Sequence, residues 1–399
     1  MPLDFSMPIR TPPPGSMTQF CPHLYSLRLV SWKGLLAGLP LYFNPSLHDE
    51  EMLDSDRHIK ELDSRDMLGM TAALPDHLME GFRLGSRTST DRSVFKEVVV
   101  CGLGGSAIGG DLACAWLSGS SETPCSVVRS YSLPAHVGAD SLVIMVSYSG
   151  NTEETLSMAD HVTDMGATMI AISSGGRLQA IAGERGIPHC LMPSGLAPRA
   201  TIGYVFGSLV GILQSAGVAE GASQVEGLVP VLERVRANCC PGSGTAKNPA
   251  KRLAHELHKT IPVVIGHDLS VPIARRWANQ LNENAKMIAF SDQLPEMNHN
   301  GIVGWVGDSL SQGFSMVFLE HDRCDDRMVR RLEATKAMVG EHMRVFSSLA
   351  MGDTDLDKMF SLVMMGDYVS LYSAFLRNVD PSTTEPIDEL KRIIAKKGI

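Results

Sequence analysis

A chain of 399 residues exceeds what one ordinary core organises and implies two or three domains. Its 44% hydrophobic and 20% charged residues are those of a globular protein, and a formal net charge of -9 gives the molecule as a whole no attraction for nucleic acid or an anionic membrane. A small anionic substrate would need a local positive site, built from backbone N–H groups and a few Arg or Lys.

Residues 1–51 are rich in Pro, as in Arg10-Thr-Pro-Pro-Pro14, and lack periodicity. They do not divide into the regions of a secretory signal and are expected to form a poorly structured extension. From Asp54 to Phe82 the positions Ile59, Leu62, Met67, Met70, Leu74, Leu78 and Phe82 suit helices, with Pro75 breaking them. Short apolar runs then alternate with amphipathic stretches. Strands are expected at Val98–Val100, Cys125–Val128, Leu142–Val146, Thr168–Ile172 and Ile187–Leu191, with a helix over Thr152–Met165. A Pro/Gly/Ser stretch, Pro241-Gly-Ser-Gly244, ends a connection spanning 217–250. The alternation restarts with Ile261–Ile265, a helix through Glu283 with Pro272 in its first turn, and strands at Met287–Phe290, Phe314–Leu319 and Met343–Phe346. Apolar strands alternating with helices predict parallel sheets covered on both faces. The expected architecture is α/β: two doubly wound domains, 52–216 and 251–399, preceded by a helical segment.

No uninterrupted apolar segment reaches the roughly 18 residues of a membrane helix. The eight cysteines show no CxxC spacing, and several sit in apolar runs, so a reduced cytoplasmic protein is the simple reading and a disulfide scaffold is not expected.

Gly102-Leu-Gly-Gly-Ser-Ala107 follows the first strand and matches a loose dinucleotide fingerprint. No acidic residue ends the second strand; Arg129 stands there, so a nicotinamide dehydrogenase and a ligand-free tight turn both stay open. The third strand ends in Ser147-Tyr-Ser-Gly-Asn-Thr-Glu-Glu154. The hydroxyls of Ser147, Ser149 and Thr152 can converge where a strand turns through a glycine into a helix, whose unpaired N–H groups favour a phosphate. The competing reading is a capped helix, with Asn151 as N-cap and Glu154 as its partner. Both loops lie beyond the carboxyl ends of strands and can face one pocket.

Aldose–ketose isomerisation needs a positioned base, donors to the oxygens and positive charge near an enediolate; it needs no redox cofactor, and the absence of clustered metal ligands in the sequence suits a metal-free route. His255-Glu-Leu-His258 lacks zinc-protease spacing and reads as an exposed helix. Glu283 lies between Asn282 and Asn284 near a helix carboxyl end, where a carboxylate gains nothing from the dipole. His299 sits between two amides in a polar turn, and Arg199 follows Pro198 after the fifth strand.

With these motifs in order, the chain resembles the bifunctional phosphoglucose/phosphomannose isomerases of the sugar-isomerase (SIS) domain group. The resemblance rests on Gly102–Asp111, Ser147–Thr155, Pro198–Tyr204, Asn279–Lys286, Pro295–Asn300, Asp380-Pro381 and Glu385–Lys391, and covers nearly everything from Met52 onward. It implies that Ser147, Ser149 and Thr152 hold the phosphate, with Gly105 and Ser106 along the sugar. Glu283 would be the base between C1 and C2, and Arg199 would hold water and steady the enediolate. His299 would assist ring opening from the partner subunit of a homodimer. Lys391 would close over the substrate, and Thr384 would leave room for both configurations at C2. The substrates implied are hexose 6-phosphates, with no cofactor, metal, nucleic acid or membrane. One departure stands out: Gly301 replaces an expected acidic residue after Asn300, which implies less efficient ring opening rather than a dead enzyme. A non-catalytic sugar-phosphate sensor on the same fold is the rival; the chain carries no basic helix-turn-helix segment to go with it.

Overall fold

The computed structural model of the protein describes residues 49–88 and 94–396. The expected extension up to residue 48 lies outside the described residues, and Asp49–Glu51, assigned to it, already belong to a helix. Four helices come first: α1 (Asp49–Asp54), α2 (Asp56–Leu62), α3 (Met67–Ala72) and α4 (Leu74–Ser86). Pro75 opens α4 rather than ending α3, as suits a residue whose missing N–H costs nothing in a first turn.

The first sheet arises from β1 (Glu97–Cys101), α5 (Gly104–Leu117), β2 (Cys125–Val128), β3 (Ser141–Val146), α6 (Glu153–Val162), β4 (Thr168–Ser173), α7 (Gly176–Arg185) and β5 (His189–Leu191). All pairings are parallel and the order is β2-β1-β3-β4-β5, so the direction of winding reverses between β1 and β3. Next come α8 (Ile202–Ser215), α9 (Ala222–Cys239) and α10 (Pro249–Leu257). Most of the expected connection is thus the helix α9, which buries Val225, Leu228, Leu232 and Val235.

The second sheet comprises β6 (Ile261–His267), α11 (Val271–Ala285), β7 (Phe290–Leu294), α12 (Gly301–Gly307), β8 (Phe314–Glu320), α13 (Asp326–Gly340) and β9 (Arg344–Leu349). It is again all parallel, in the order β7-β6-β8-β9. The chain closes with α14 (Asp355–Leu376) and α15 (Glu385–Lys396). Two parallel α/β sheets with helices on their faces are the doubly wound plan that the sequence predicts.

The strand expected at Met287–Phe290 lies at Phe290–Leu294 instead. It is an edge strand with Ser291 and Gln293 exposed, so it lacks the apolar run that marks a buried strand, and Met287 and Ala289 are buried just before it. The central core joins the inner faces of both sheets to α4, α5, α8, α9, α10, α11 and α14. Smaller clusters lie under α6 and α7 on the first sheet and under α13 on the second. Although α14 is long and apolar enough to span a membrane, 94% of its apolar window is buried in this core.

The cysteine reading needs one correction. Cys114 near the end of α5 and Cys125 at the start of β2 are joined by a disulfide, with Cα atoms 5.1 Å apart. The pair is spaced by 11 residues, a separation that signals nothing until the helix-to-strand return brings its ends together. Cys101, Cys190 and Cys239 are free and buried.

Candidate functional site

The phosphate motif forms a tight cradle at the reversal of the first sheet. Ser147 follows the end of β3, and Gly150 turns the chain with φ of 67°. A Cβ at Gly150 would stand 1.8 Å from the Gly175 carbonyl oxygen, so both the dihedral and the space demand glycine. The Ser147 and Thr152 hydroxyls are 2.9 Å apart, and the Asn151 N–H donates to Ser149 Oγ at 3.2 Å. Asn151 does not cap α6, contrary to the capped-helix reading. Its side-chain oxygen accepts from the Arg177 N–H at 3.0 Å, so it serves α7. Thr152 occupies the N-cap position of α6 without a side-chain cap bond, which leaves the first N–H groups of that helix facing outward.

The glycine loop lies beside this cradle because β1 and β3 pair side by side, Cys101 with Met145. A Cβ at Gly102 would come within 2.8 Å of the Val146 carbonyl oxygen. Gly104, with φ of 52°, begins α5, and its N-cap Leu103 offers no side-chain bond either. Gly105 packs on the turn Pro198–Ala200: a Cβ there would lie 3.2 Å from the Pro198 oxygen and 3.6 Å from Arg199 Cα. Ser106 is partly exposed on the same first turn. Arg129, weighed as a 2′-phosphate ligand, is paired with Asp111.

Arg199 connects the two halves of the chain. Its side chain is 95% buried, yet one arm of the guanidinium stands 3.7 Å from the Glu283 carboxylate. Its Nε donates to Asn284 Oδ1 at 2.5 Å, and an Nη to the Pro381 carbonyl oxygen. Burial draws its pKa below the usual arginine range, and Glu283 opposes that. Glu283 itself is about one-third exposed, so it is open to a ligand while fixed by its helix.

Behind this pair lies a buried polar network that the sequence did not disclose. Arg276 donates to both oxygens of Asp367, at 2.7 and 3.1 Å, and to the Arg199 carbonyl oxygen at 3.1 Å. Gln280 donates to Asp367 at 2.9 Å, and Asn284 to Ser370 Oγ at 2.9 Å. Burial pushes the Asp367 carboxyl up, and Arg276 and Gln280 pull against it. Arg276, Gln280 and Asn284 recur every four residues on one face of α11, and Asp367 and Ser370 are three apart on α14. The four-residue period on α11 and charged residues within the apolar α14 were the available signals.

The remaining residues lie further out. Lys391 is exposed on α15, and Thr384 lies just before that helix, next to Thr383, whose carbonyl accepts from Lys286. Among the described residues no hydrogen bond or ion pair joins Lys391 to Glu283.

His299 is exposed in the turn after β7, at the carboxyl end of the second sheet. Glu283 lies at the other end. The Arg377 side chain bonds both the Ala285 oxygen, at 3.0 Å, and the His258 oxygen just before β6, at 3.3 Å. Within one chain these two residues are therefore not brought together. Gly301 contributes no carboxylate, but a Cβ there would stand 3.5 Å from Asp292 Oδ2, so β7 keeps an acid beside that position. His255 and His258 flank Asp49, at 3.7 and 3.4 Å, which occupies them in tying α10 to α1.

Comparison with known proteins shows the family. Residues 94–179 match the SIS domain, and residues 246–394 match the bacterial phospho-glucose isomerase C-terminal SIS domain. A bifunctional phosphoglucose/phosphomannose isomerase of Caldicellulosiruptor bescii is 38% identical over 81% of this chain and 97% of its own length. The chain belongs to the bifunctional phosphoglucose/phosphomannose isomerase family. A second member of that family, from Aquifex aeolicus, is 33% identical over 77% of this chain and 92% of its own. In fold, the C-terminal domain of glucosamine-fructose-6-phosphate aminotransferase from Francisella tularensis aligns with a TM-score of 0.59. It covers 79% of this chain and 98% of the other at 16% identity. A hypothetical protein from Thermus thermophilus aligns at 0.65, covering 88% and 94% at 16% identity.

Proposed function

We propose that this member of the phosphoglucose/phosphomannose isomerase family interconverts glucose 6-phosphate and mannose 6-phosphate with fructose 6-phosphate, in the cytoplasm and as a homodimer. The observation that carries the reading is the Arg199–Glu283 pair at the foot of the glycine loop, a buried cation 3.7 Å from a carboxylate that is about one-third exposed. The phosphate would sit on Ser147, Ser149 and Thr152 at the uncapped start of α6, where hydroxyls and N–H groups converge. Gly105 and Ser106 would lie along the sugar, which the absence of a side chain at Gly105 permits.

In the open-chain aldose, Glu283 takes the proton from C2 as the C1 oxygen gains negative charge. Arg199 stabilises that enediolate while the proton of the C2 hydroxyl passes to the C1 oxygen, and Glu283 returns its proton to C1 as C2 becomes the carbonyl of the ketose. Glucose and mannose phosphates differ only at C2, and the enediolate erases the difference. One base and one ketose phosphate therefore serve both, with Thr384 bordering the C2 side. His299 would open the ring from the partner subunit, consistent with its place at the opposite end of the second sheet from Glu283, and Lys391 would close over the sugar from α15.

The test is Glu283→Gln, assayed by coupling product formation from fructose 6-phosphate to a dehydrogenase. Turnover is expected to vanish while sugar-phosphate affinity stays within several-fold. Full turnover in this variant would remove Glu283 from the chemistry. Phosphate-sugar binding by the wild-type chain without any product would favour a sensor.

A further inference from the structure

Lys286 lies directly after α11, three residues past Glu283, and has no part in the chemistry described above. Its backbone is left-handed, with φ of 52° and ψ of 36°. That region suits the glycine or asparagine common at helix ends and disfavours a long side chain. The side chain explains why lysine is nevertheless present. Its ammonium donates to four backbone oxygens: Asp380 at 2.7 Å, Glu283 and Thr383 at 3.0 Å, and Asn284 at 3.3 Å. Two belong to the end of the helix that bears the base. Two bracket the loop whose Pro381 carbonyl takes the Arg199 bond and which leads through Thr384 into α15.

We propose that Lys286 is a positioning residue of the isomerase site, its ammonium fastening the 380–384 loop to the end of α11 so that Arg199, Thr384 and α15 are held in register with Glu283. The proposal rests on the isomerase reading for its kinetic consequence and on the geometry alone for the clamp. Only the charged form can do this. An ammonium has three hydrogens for four carbonyls, whereas an amine has two and turns a lone pair toward oxygens that repel it.

The groups facing Lys286 set when that form is lost. Although the residue as a whole is exposed, its ammonium is turned into the loop, and desolvation lowers its pKa from 10.5 to about 8. Arg199, on the turn after β5, adds to this, while Asp380, Glu385 at the start of α15 and Glu283 on α11 oppose it. Arg377, at the end of α14, reaches the Lys286 carbonyl oxygen at 3.5 Å. Arg65 faces Arg199 from the α2–α3 connection. Because the folded-state pKa is depressed, the unfolded chain binds more protons between about pH 8 and 10.5, so stability from this group rises through that window. The clamp, in contrast, is complete below pH 8 and lost above it. An alkaline fall in activity would thus come without a matching loss of stability from Lys286.

The experiment compares wild type, Lys286→Met and Lys286→Arg as full-length chains, by kcat/KM for fructose 6-phosphate across neutral and alkaline pH. Wild type is expected to lose activity through about pH 8. Lys286→Met should fall roughly tenfold at neutral pH, with that limb absent, since a loosened loop costs the transition-state stabilisation that kcat/KM reports. Lys286→Arg, still charged, should recover part of the rate and move the limb to higher pH. Trypsin at one fixed pH gives a readout independent of catalysis: cleavage at Lys391 and Arg392 should be faster in the Met variant than in wild type, with unfolding temperatures checked for both. A Met variant that keeps the wild-type rate, alkaline limb and cleavage rate would overturn the proposal. Were wild type to form no product at any pH, the isomerase reading would fail, and the cleavage comparison would still decide the clamp.

Discussion

At the scale of single residues, the proposed site separates groups expected to touch a ligand from groups that hold them. Ser149 is exposed, and among the described residues its hydroxyl accepts only from the Asn151 N–H, so its removal disturbs little of the fold. Ser149→Ala is expected to raise KM for fructose 6-phosphate about tenfold with kcat nearly unchanged, the cost of one hydrogen bond to a charged group shared by ground and transition states. Steady-state kinetics decide it, and a fall in kcat at constant KM would contradict the phosphate role. The residues proposed to contact the ligand could be singled out in the sequence because each stands in a motif with few competing uses. Gly105 was legible for a weaker reason, as part of a glycine run; only the structure reveals that the Pro198–Arg199 backbone crowds the space its side chain would take. Asp367 and Arg276 were not legible. A charged residue inside an apolar helix declares that it is paired, not with whom, and these partners are 91 positions apart.

At the scale of elements, Arg199 is fixed by how α8 is seated. That helix begins just after the Pro198–Ala200 turn and packs along α4 through glycines on both sides: Gly81 and Gly85 face Gly203, Gly207 and Gly211. Spacing by four places each set on one face, so the backbones approach until a Cβ at Gly207 would stand 2.3 Å from the Leu78 carbonyl oxygen. Gly207→Ala must push the helices apart, and overpacking of this kind costs about 1–3 kcal/mol. Denaturant unfolding should register that loss, and kcat should fall with it because the Arg199 turn moves with α8. An alanine variant as stable and active as wild type would mean that the interface yields elsewhere. Strand and helix placement was readable wherever elements are buried, as in β1, β3 and β8, because apolar runs there have no other use. It failed at β7, where the edge position leaves a polar strand and moves the apolar residues into the loop before it. The Cys114–Cys125 bond escaped for a related reason: sequence spacing carries no information on a contact that depends on where a helix returns to its sheet.

At the scale of the whole molecule, the proposed site takes one half from each sheet, and the ends of the sheets explain why a second subunit enters the proposal. Ligands in such sheets gather beyond the carboxyl ends of strands, and in the first sheet Ser147 and the glycine loop stand there. The second sheet contributes Glu283 from the far end of a helix instead, while its own carboxyl end carries His299 out to solvent. A histidine needed at Glu283 must then come from another copy, and a symmetric pair would complete two such sites. Mixing two impaired proteins tests this directly. Glu283→Gln would lack the proposed base and His299→Ala the proposed ring-opening group. If His299 acts across the interface, a mixed dimer contains one site with both groups intact and one with neither. After unfolding and refolding the two together in equal amounts, activity on glucose 6-phosphate should recover to about a quarter of the wild-type level, since half the dimers are mixed and each restores one of two sites. Activity no greater than the average of the two separate variants would place His299 and Glu283 in the same chain's chemistry, or His299 outside it altogether.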